Sequence, residues 1–480
     1  MIRQGERILR AVTPESAPHV ERLLSAPWFR ARMDTGSLPV TSWTDAVPAD
    51  FAGATAFRWL EHKALQFPCY PHEITAAQLH EAARLTLSLA MEALENGWTL
   101  KDASAWNVLF DGGRPVFCDI LSFESGPALA LWPAYAQFQR HFIIPLLLHK
   151  HLGIQPETVF LQHRDGMPPE EARRMLKGLK AWRQPLLEAV TLPALFTRQA
   201  VSGNRRGGST SARITRDPAL GKHLLARTYR RLQRHLDRLT ATGTRKASTW
   251  LNYERERDHY SAADLEAKRT FIKESLADRG IRTVLDLGCN TGEFSFLAAT
   301  LGKEVVAADF DGQCLERLYA RAREQHSPIQ PLVLNIGRPT PAVGWMNREV
   351  PSVLERAQGR FDCVMMLGLV HHLLVTERAT LEMVFELVRA LQPARLIIEW
   401  VEPGDRRFRE ISAINAGLYA HLSREAFEAE LTGSFVIDAS QPLPGGTRVL
   451  YACTRRWGAD GSGTGGRASA QCFFPGGGGF

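Results

Sequence analysis

Short apolar runs alternate with amphipathic stretches along the second half of the chain, from Ser248 onward. Each run has the length of a buried strand, whereas the stretches between them repeat apolar side chains every three or four residues. This alternation is typical of βαβ units on a parallel sheet. Residues 1–197 differ: they are rich in apolar and aromatic side chains, with helical periodicity at Ala76–Leu94 and Pro133–Leu152, and they predict an N-terminal α+β domain.

Two further changes in composition mark the rest of the chain. Between Arg198 and Lys246 there are thirteen Lys and Arg against two Asp, a net charge of +11, so the remainder of the +7 chain carries −4. After Arg456 the sequence becomes a Gly-rich tail that cannot bury enough surface to fold. We therefore predict four segments: an α+β domain at 1–197, a basic linker at 198–247, an α/β domain at 248–455 and a disordered tail at 456–480.

The linker contains one predicted helix. Asp217 and Pro218 suit its N-cap and first position, and leucines then recur at steps of three and four up to about residue 241, with arginines on the other faces. Such a helix could bind an anionic lipid, glycan or RNA, or it could pack its leucines on a neighbouring domain with its arginines in solvent. The sequence favours the second interpretation of helix 218–241.

The overall composition is that of a soluble globular protein. Apolar residues make up 45% of the 480 and charged residues 23%. No apolar run approaches the roughly 20 residues that cross a bilayer, and the N-terminus lacks the apolar core of a secretory signal. The seven cysteines have neither CxxC nor paired spacing. We expect a cytoplasmic protein without a transmembrane segment, a zinc site or a disulfide framework.

Candidate chemistry is concentrated at Thr283–Ser295, which reads TVLDLGCNTGEFS. A buried strand leads into a turn in which Gly288 lets backbone approach a ligand and Gly292 permits close helix packing. The following strand ends at Asp309, seventeen residues past Gly292, where an acid can bind the two hydroxyls of a ribose. The turn lacks the GxGxxG of dinucleotide sites, and Asp286 would repel phosphate but suits a sulfonium cation. These features favour S-adenosylmethionine as the cofactor.

VLDLGCNTG resembles motif I of class I methyltransferases, and AADFD resembles the acidic end of their second strand. Pro331–Ile336 is similar to their third strand, FDCVMMLGLVHHLL to the fourth, ARLIIEWVEP to the fifth and SFVIDASQPLPGGTRVLYACT to the closing hairpin. The resemblance implies a doubly wound, seven-stranded α/β sheet. It also implies a set of cofactor-binding residues: Asp286, Gly288, Cys289, Asn290 and Gly292 around the methionine end, Asp309 on the ribose, Phe310 beside the adenine and Asn335 at its amine.

For the acceptor side, the fourth strand is predicted to end at His371-His372, in the crevice at the carboxyl ends of the strands. A histidine near neutral pKa suits a base for a hydroxyl or ammonium nucleophile, whereas positioning alone suffices for other nucleophiles. Glu399, Trp400 and Glu402 follow as substrate-side candidates. No metal cluster accompanies the histidines. We expect a small-molecule, glycan or lipid acceptor, which the sequence does not identify further.

In the N-terminal region, LKDASAWNVLF places Asp102 and Asn107 at the D-x-x-x-x-N spacing of the catalytic loop of protein and aminoglycoside kinases. Asp119 follows a Gly-Gly hairpin, near where kinases place a second metal-binding aspartate. Residues 1–90 nevertheless lack a Gly-rich phosphate loop and a VAIK-like lysine. The sequence thus favours a kinase-like scaffold that has lost phosphotransfer.

YPHEIT, LKDASAWNVLF, FCDILSFE and YAQFQRHFIIPLLL, joined to this methyltransferase core, resemble the nodulation host-specificity methyltransferase family of bacteria. The resemblance implies a bacterial S-adenosylmethionine-dependent methyltransferase without fixing its acceptor. Two alternatives remain open. One is a phosphotransferase or bifunctional enzyme that uses Asp102, Asn107 and Asp119. The other is a non-catalytic module that senses S-adenosylmethionine.

Overall fold

The computed structural model describes residues 2–4, 7–47, 57–126, 131–176, 178, 182–195, 217–239 and 260–456. These residues form two compact units, the first reaching to Leu239 and the second covering 260–456. The predicted domain boundaries near 197 and 247, and all of the predicted tail except Arg456, lie outside the described residues.

The first unit contains a four-stranded antiparallel sheet in the order β1-β2-β4-β3 and two short two-stranded ladders, β5 with β8 and β6 with β7. Its strands are β1 (Ile2–Gln4), β2 (Arg7–Val12), β3 (Thr41–Thr44), β4 (Arg58–Lys63), β5 (Trp98–Leu100), β6 (Val108–Asp111), β7 (Arg114–Phe117) and β8 (Phe123–Ser125). The predicted mixture of helix and strand is therefore present in this unit.

The helices of the first unit are α1 (Ala17–Ser25), α2 (Pro27–Asp34), α3 (Ala76–Glu95), α4 (Tyr135–Phe138), α5 (Ile144–Leu152), α6 (Pro156–Gln162), α7 (Pro169–Met175) and α8 (Pro218–Asp237). Short turns of 3-10 helix lie at Pro71–Glu73, Ala105–Asn107 and Ile120–Ser122, and π-helical turns at Gln139–Ile143 and Leu187–Thr191. The long helix predicted from Ala76 is confirmed, and a capping box of Thr75 and Gln78 begins it. The one predicted from Pro133 begins at Tyr135 and has a π-turn between α4 and α5.

Helix α8 belongs to the first unit, where it packs against α3. Asp217 caps it by accepting hydrogen bonds from the backbone N–H groups of Ala219 and Leu220. The leucine face is buried, whereas Arg227, Arg230 and Arg234 are exposed. This is the packing that the sequence favoured. An anionic partner for the exposed arginines stays a prediction.

The second unit is built on a seven-stranded mixed sheet in the order β11-β10-β9-β12-β13-β15-β14. Its strands are β9 (Thr283–Leu287), β10 (Glu304–Asp309), β11 (Ile329–Val333), β12 (Cys363–Met366), β13 (Arg395–Val401), β14 (Phe435–Pro442) and β15 (Arg448–Arg455). The first five run parallel, and β15 pairs antiparallel both with β13 and with β14. This is the doubly wound sheet with a closing hairpin that the sequence predicts.

Helices precede, connect and follow the parallel strands of this sheet. They are α9 (Ala262–Leu276), α10 (Glu293–Thr300), α11 (Gly312–Glu324), α12 (Val353–Ala357), α13 (Val370–Val375), α14 (Leu381–Leu391), α15 (Arg406–Ser412) and α16 (Arg424–Ser434), with 3-10 turns at Trp345–Asn347 and Ala416–Tyr419. β9 lies between β10 and β12, so the strand order reverses at β9. A crevice is expected at such a reversal, outside the carboxyl ends of the strands.

Two predicted strand ends are wrong. β11 ends at Val333 and not at Ile336. β12 ends at Met366, because Gly368 takes a positive φ of 65° and turns the chain into α13. His371 and His372 therefore lie in the first turn of a helix and not at the end of a strand.

No helix in the described part of the chain is both long and apolar enough to cross a bilayer. The six cysteines within that part are free thiols. Its His, Cys, Asp and Glu side chains form no group of three or more that could hold a metal ion.

Candidate active site

A cavity of about 230 Å³ opens at the carboxyl ends of β9, β10, β11 and β12. The predicted cofactor residues that line it are Asp286, Gly288, Cys289, Asn290, Asp309, Phe310 and Asn335. Gly292 does not line the cavity but ends the turn that does. These lining residues come from separate parts of the sequence, and the order of the strands brings them together.

The turn after β9 depends on backbone geometry that only a few residue types adopt. Gly292 has a φ of 87°, and a Cβ there would lie 2.5 Å from Cδ1 of Leu318. Asn290 has a φ of 52°, in the region where asparagine is more frequent than other non-glycine residues. The backbone N–H groups of Gly288 and Cys289 both donate to the carbonyl of Ala308, at 2.9 and 3.1 Å, and fix the turn against β10.

Asp309 ends β10 and is 8% exposed. Its Oδ2 accepts a hydrogen bond from the backbone N–H of Asn290 at 2.8 Å, and its Oδ1 accepts one from Asp311 at 2.9 Å. Burial raises the pKa of this carboxyl to about 6 in spite of these two donors. The carboxylate is thus held rigidly at the cavity wall.

Asp286 lies on β9 and is 2% exposed. Its Oδ2 accepts a hydrogen bond from Ser295 Oγ, on α10, at 2.6 Å. Burial raises its pKa to about 6, and the nearby Asp309 carboxylate adds to the shift. Within the described residues neither aspartate forms an ion pair with a basic side chain, so a bound cation would stabilise the charge of both.

The two residues predicted for the adenine side also line the cavity. Phe310 lines the cavity and is 55% exposed. Asn335 follows β11; its Oδ1 accepts a hydrogen bond from the backbone N–H of Gly337 at 2.9 Å, and its Nδ2 donates to Glu377 Oε1 at 3.4 Å. The side-chain amide is therefore fixed in orientation.

The two predicted histidines are not equivalent. His372 lines the cavity, whereas His371 does not; it is buried, with its ring 4.1 Å from that of His372 and 6.5 Å from Phe408. Burial lowers the pKa of His372 to about 4, assisted by the charges of Arg407 and Arg448. At neutral pH its imidazole is uncharged and can accept or donate a hydrogen bond.

The three substrate-side candidates on and after β13 have different surroundings. Trp400 is fully buried and stacks on Phe427 at 4.9 Å, so it belongs to the core. Glu402 is half-buried, and its backbone carbonyl accepts from Asp405 N–H. Glu399 is fully buried and joins an ionic network beside the cavity.

Sequence reasoning missed the other members of this network. Lys268, on α9, donates to Glu399 Oε2 at 2.6 Å, and Tyr260 donates to Glu399 Oε1 at 2.7 Å. Arg448, on β15, donates to the Tyr260 hydroxyl and forms a bidentate ion pair with Asp405. Burial alone would raise the pKa of Glu399, but Lys268 and Arg448 hold it below its usual range.

The kinase-like residues of the first unit have different surroundings. Arg10 Nη1 donates to Asp119 Oδ1 at 2.8 Å, and Ser122 donates to Oδ2, so both carboxylate oxygens already have partners. Asp102 accepts from the backbone N–H of Ser104 at 2.9 Å. Asn107 is 1% exposed. The ion pair with Arg10 occupies the aspartate that a metal ion would need.

The chain is similar to a known protein family and to a curated bacterial protein. Residues 285–393 match the family described as a methyltransferase domain. Nodulation protein NoeA of Rhizobium meliloti (strain 1021) is 30% identical over 456 residues, which cover 94% of this chain and 92% of that protein.

Solved structures are more distant. The bifunctional kinase-methyltransferase WbdD is 18% identical over 42% of each chain, with a TM-score of 0.31. The N-methyltransferase NodS from Bradyrhizobium japonicum WM9 is 13% identical over 41% of this chain and 98% of its own, with a TM-score of 0.30. At these scores the assignment depends on the sequence matches.

Proposed function

Because the chain belongs to the family of nodulation protein NoeA and is an S-adenosylmethionine-dependent methyltransferase, we propose that the cavity of its second unit is the methyl-transfer site. The acceptor we propose is a small molecule or the terminal group of a glycan or lipid.

One observation carries this proposal. Asp286 and Asp309 are two buried carboxylates on neighbouring strands, without a basic side chain paired to either in the described chain. Burying such charges is costly unless a cation or hydrogen-bond donors compensate them. The cofactor would supply both, since it brings a sulfonium, an ammonium and a ribose diol.

The individual roles that we propose are those implied by the family resemblance, and all of these residues except Gly292 line the cavity. We assign the turn residues Gly288, Cys289, Asn290 and Gly292, together with Asp286, to the methionine end. Asp309 would accept hydrogen bonds from the ribose hydroxyls. Phe310 would pack against the adenine, and Asn335 Oδ1 would accept a hydrogen bond from its amine.

Bound S-adenosylmethionine supplies a methyl group already activated by the positive sulfur. The nucleophile of the acceptor would take this methyl group, S-adenosylhomocysteine would be left, and a proton of the acceptor would be released when the nucleophile carries one. In-line alignment provides much of the rate. We assign His372 to a hydrogen bond that orients the nucleophile, because an imidazole with a pKa of about 4 is a weak base. His371 packs behind it.

Phosphoryl transfer in the first unit is the alternative from another enzyme class. Its motivation is Asp102, Asn107 and Asp119, but Arg10 and Ser122 already bind the carboxylate of Asp119. We propose that this unit does not transfer phosphate. A purely cofactor-sensing protein is the non-catalytic alternative, and label transfer distinguishes it from an enzyme.

The test is incubation of the pure protein with methyl-labelled S-adenosylmethionine and fractionated bacterial extract. We expect label in one low-molecular-weight, glycan or lipid fraction, and much less with Asp309→Asn. Asp438→Asn, an exposed aspartate on β14, is the matched control and should transfer normally. Cofactor binding without transfer to any fraction would favour the sensing module.

A further inference from the structure

One face of helix α8 is covered by arginine. The side chains recur at steps of three, one, three and four residues, which places them within about 100° around the helix axis. All of them are exposed, whereas the leucines on the opposite face are buried. The members of this arginine face, the last of which is the C-cap, are Arg227, Arg230, Arg231, Arg234 and Arg238.

Three of these arginines have no carboxylate partner among the residues that the structure describes. They are Arg227, Arg230 and Arg234, of which the last two donate from Nε to backbone carbonyls of their own helix, at 3.4 Å each. Arg231 differs, because it pairs with Glu188 at 2.9 Å. The sequence on either side of the helix, 196–216 and 240–252, contains no Asp or Glu. The neighbouring chain therefore offers no carboxylate to the arginine face.

The spacing of the arginine face is unfavourable for the helix by itself. Like charges three or four residues apart, as in Arg227–Arg230 and Arg230–Arg234, repel one another and destabilise a helix. Packing of the leucines against α3 keeps α8 in place in spite of this repulsion. A negatively charged partner would relieve the repulsion, and the exposed guanidinium groups are available to it.

We propose that the arginine face of α8 binds the surface of a lipid bilayer that contains anionic phospholipids. Clusters of about four to eight basic side chains on an amphipathic helix are typical of such binding, and guanidinium groups pair well with phosphate oxygens. Because the leucines are already buried within the protein, the helix would lie on the headgroups and would not insert among the acyl chains. The attraction is then purely electrostatic. This inference does not depend on the proposed methyl-transfer site.

A nucleic acid is the other polyanion that an arginine face could bind, and α8 suits it less well. Single-stranded nucleic acid is held by aromatic rings that stack on the bases as well as by positive charge. The helix has one side chain of the Phe, Tyr and Trp types, Tyr229, which is buried with its ring 5.0 Å from that of Trp132. Outside residues 198–246 the chain carries a net charge of −4. Positive charge is thus confined to one segment, which is enough for a layer of headgroups.

Vesicle co-sedimentation with the full-length protein tests the proposal. We expect binding to phosphatidylcholine vesicles with about one third phosphatidylglycerol to be about tenfold or more tighter than binding to phosphatidylcholine alone. Binding should weaken strongly between about 0.1 and 0.5 M salt, because salt screens an electrostatic contact. Equal binding to both kinds of vesicle, or no binding to either, would overturn the proposal. Binding to total bacterial RNA at protein concentrations that leave the anionic vesicles unbound would overturn it in favour of a nucleic acid.

Variants assign the binding to the arginine face. The triple variant Arg227→Gln/Arg230→Gln/Arg234→Gln should bind the anionic vesicles about 100-fold more weakly, since each basic side chain near the surface contributes about fivefold. Lysine at the same three positions keeps the charge and should retain most of the binding. A loss as large with lysine would indicate a stereospecific anion site and refute the proposal. If the triple variant is less stable than the wild type, the single variants replace it, each with an expected loss of about fivefold.

The matched control removes the same charge from another helix. Arg317→Gln/Arg321→Gln/Arg323→Gln lowers the net charge by the same amount through three exposed arginines on α11. This variant should bind the anionic vesicles as the wild type does. A loss equal to that of the α8 variant would mean that overall charge, and not the arginine face, determines binding, and would overturn the proposal.

Discussion

Buried aspartates have different partners in the two units. In the first, Asp119 is bound by Arg10 and Ser122, so its charge is satisfied within the protein. In the second, Asp286 and Asp309 accept hydrogen bonds from Ser295 and from backbone N–H groups but have no basic partner in the described chain, and burial raises the pKa of each to about 6. Both kinds of aspartate were sequence-predicted ligand residues.

The contrast separates a structural carboxylate from a binding one. A carboxylate that forms an ion pair with arginine contributes to folding and has lost the capacity to bind a metal ion without first breaking that pair. A buried carboxylate without a cation lowers the stability of the free protein, and a cationic ligand recovers that free energy. Glu399 belongs with Asp119 in this respect, because Lys268 and Arg448 compensate it.

The largest expected effect comes from breaking the most buried pair. Glu399→Gln leaves Lys268 and Arg448 with one negative partner fewer, and we expect a loss of about 3–5 kcal/mol in unfolding free energy. Denaturant unfolding of the second unit measures it. Glu410→Gln, an exposed carboxylate that pairs with Arg406 and Arg407 on α15, should cost less than about 1 kcal/mol. A loss as small for Glu399→Gln would contradict our account of the network.

Asp119→Asn tests the same idea in the first unit. Arg10 loses its charged partner, and we expect a decrease of about 1.5–3 kcal/mol in stability, with S-adenosylmethionine affinity unchanged. Calorimetric unfolding and ligand titration of the full chain measure both. We also expect no magnesium-dependent ATP turnover from the wild-type protein. Turnover that disappears in Asp119→Asn or Asp102→Asn would support the phosphotransferase alternative.

The sequence predicted the strands of the methyltransferase unit far better than the long-range ion pairs of either unit. The strands around Asp286 and Asp309 follow from local apolar runs and a glycine turn, and their order follows from resemblance. Arg10 and Asp119 are 109 positions apart, and Lys268 and Glu399 are 131 apart. Such contacts depend on how whole elements pack, and no local pattern indicates them. For α9 the sequence does carry a local signal, because S-A-A-D at Ser261 is a capping box that marks where this helix begins.

The strand end at Met366 was missed for a local reason. MMLGLVHHLL is apolar on both sides of Gly368, so neither the strand nor the helix that follows has a distinct period. Gly368 was the available signal for a turn, and its positive φ is what ends the strand.

Asp309→Asn should weaken cofactor binding without lowering stability, whereas Glu399→Gln should lower stability. We expect S-adenosylmethionine to bind about 10- to 100-fold more weakly, because the ribose loses a charged acceptor. The stability of the free protein should be unchanged or higher at pH 7, since an uncompensated buried charge is removed. Calorimetry and unfolding of the same preparation test both halves. A clear loss of stability would place Asp309 with the structural carboxylates.

Cofactor affinity should also depend on pH through the same two carboxyls. Burial raises the folded-state pKa of both carboxyls to about 6. Below that pH they are mostly protonated, so neither carries a charge inside the cavity. Their contribution to stability is therefore complete below the unfolded pKa of about 3.9 and is lost as the pH rises through about 6. Binding of a cation needs the ionised forms, so affinity should fall as the pH drops below about 6. Titrations at pH 5.0 and 7.5 measure this, and Asp309→Asn should show a weaker dependence.

The smallest effect is expected at His372, which has no charge to lose at neutral pH. Burial lowers its pKa to about 4, so between pH 5 and 8 the turnover of the wild-type enzyme should show no inflection from this group. If it only orients the acceptor, His372→Ala should lower kcat about tenfold, and His372→Gln, which keeps a hydrogen-bonding side chain, should lower it less. A loss of about 10²–10⁴-fold in both variants would instead identify a general base. His371→Ala, assayed per folded enzyme, should leave kcat nearly unchanged because its ring lies behind that of His372 and outside the cavity.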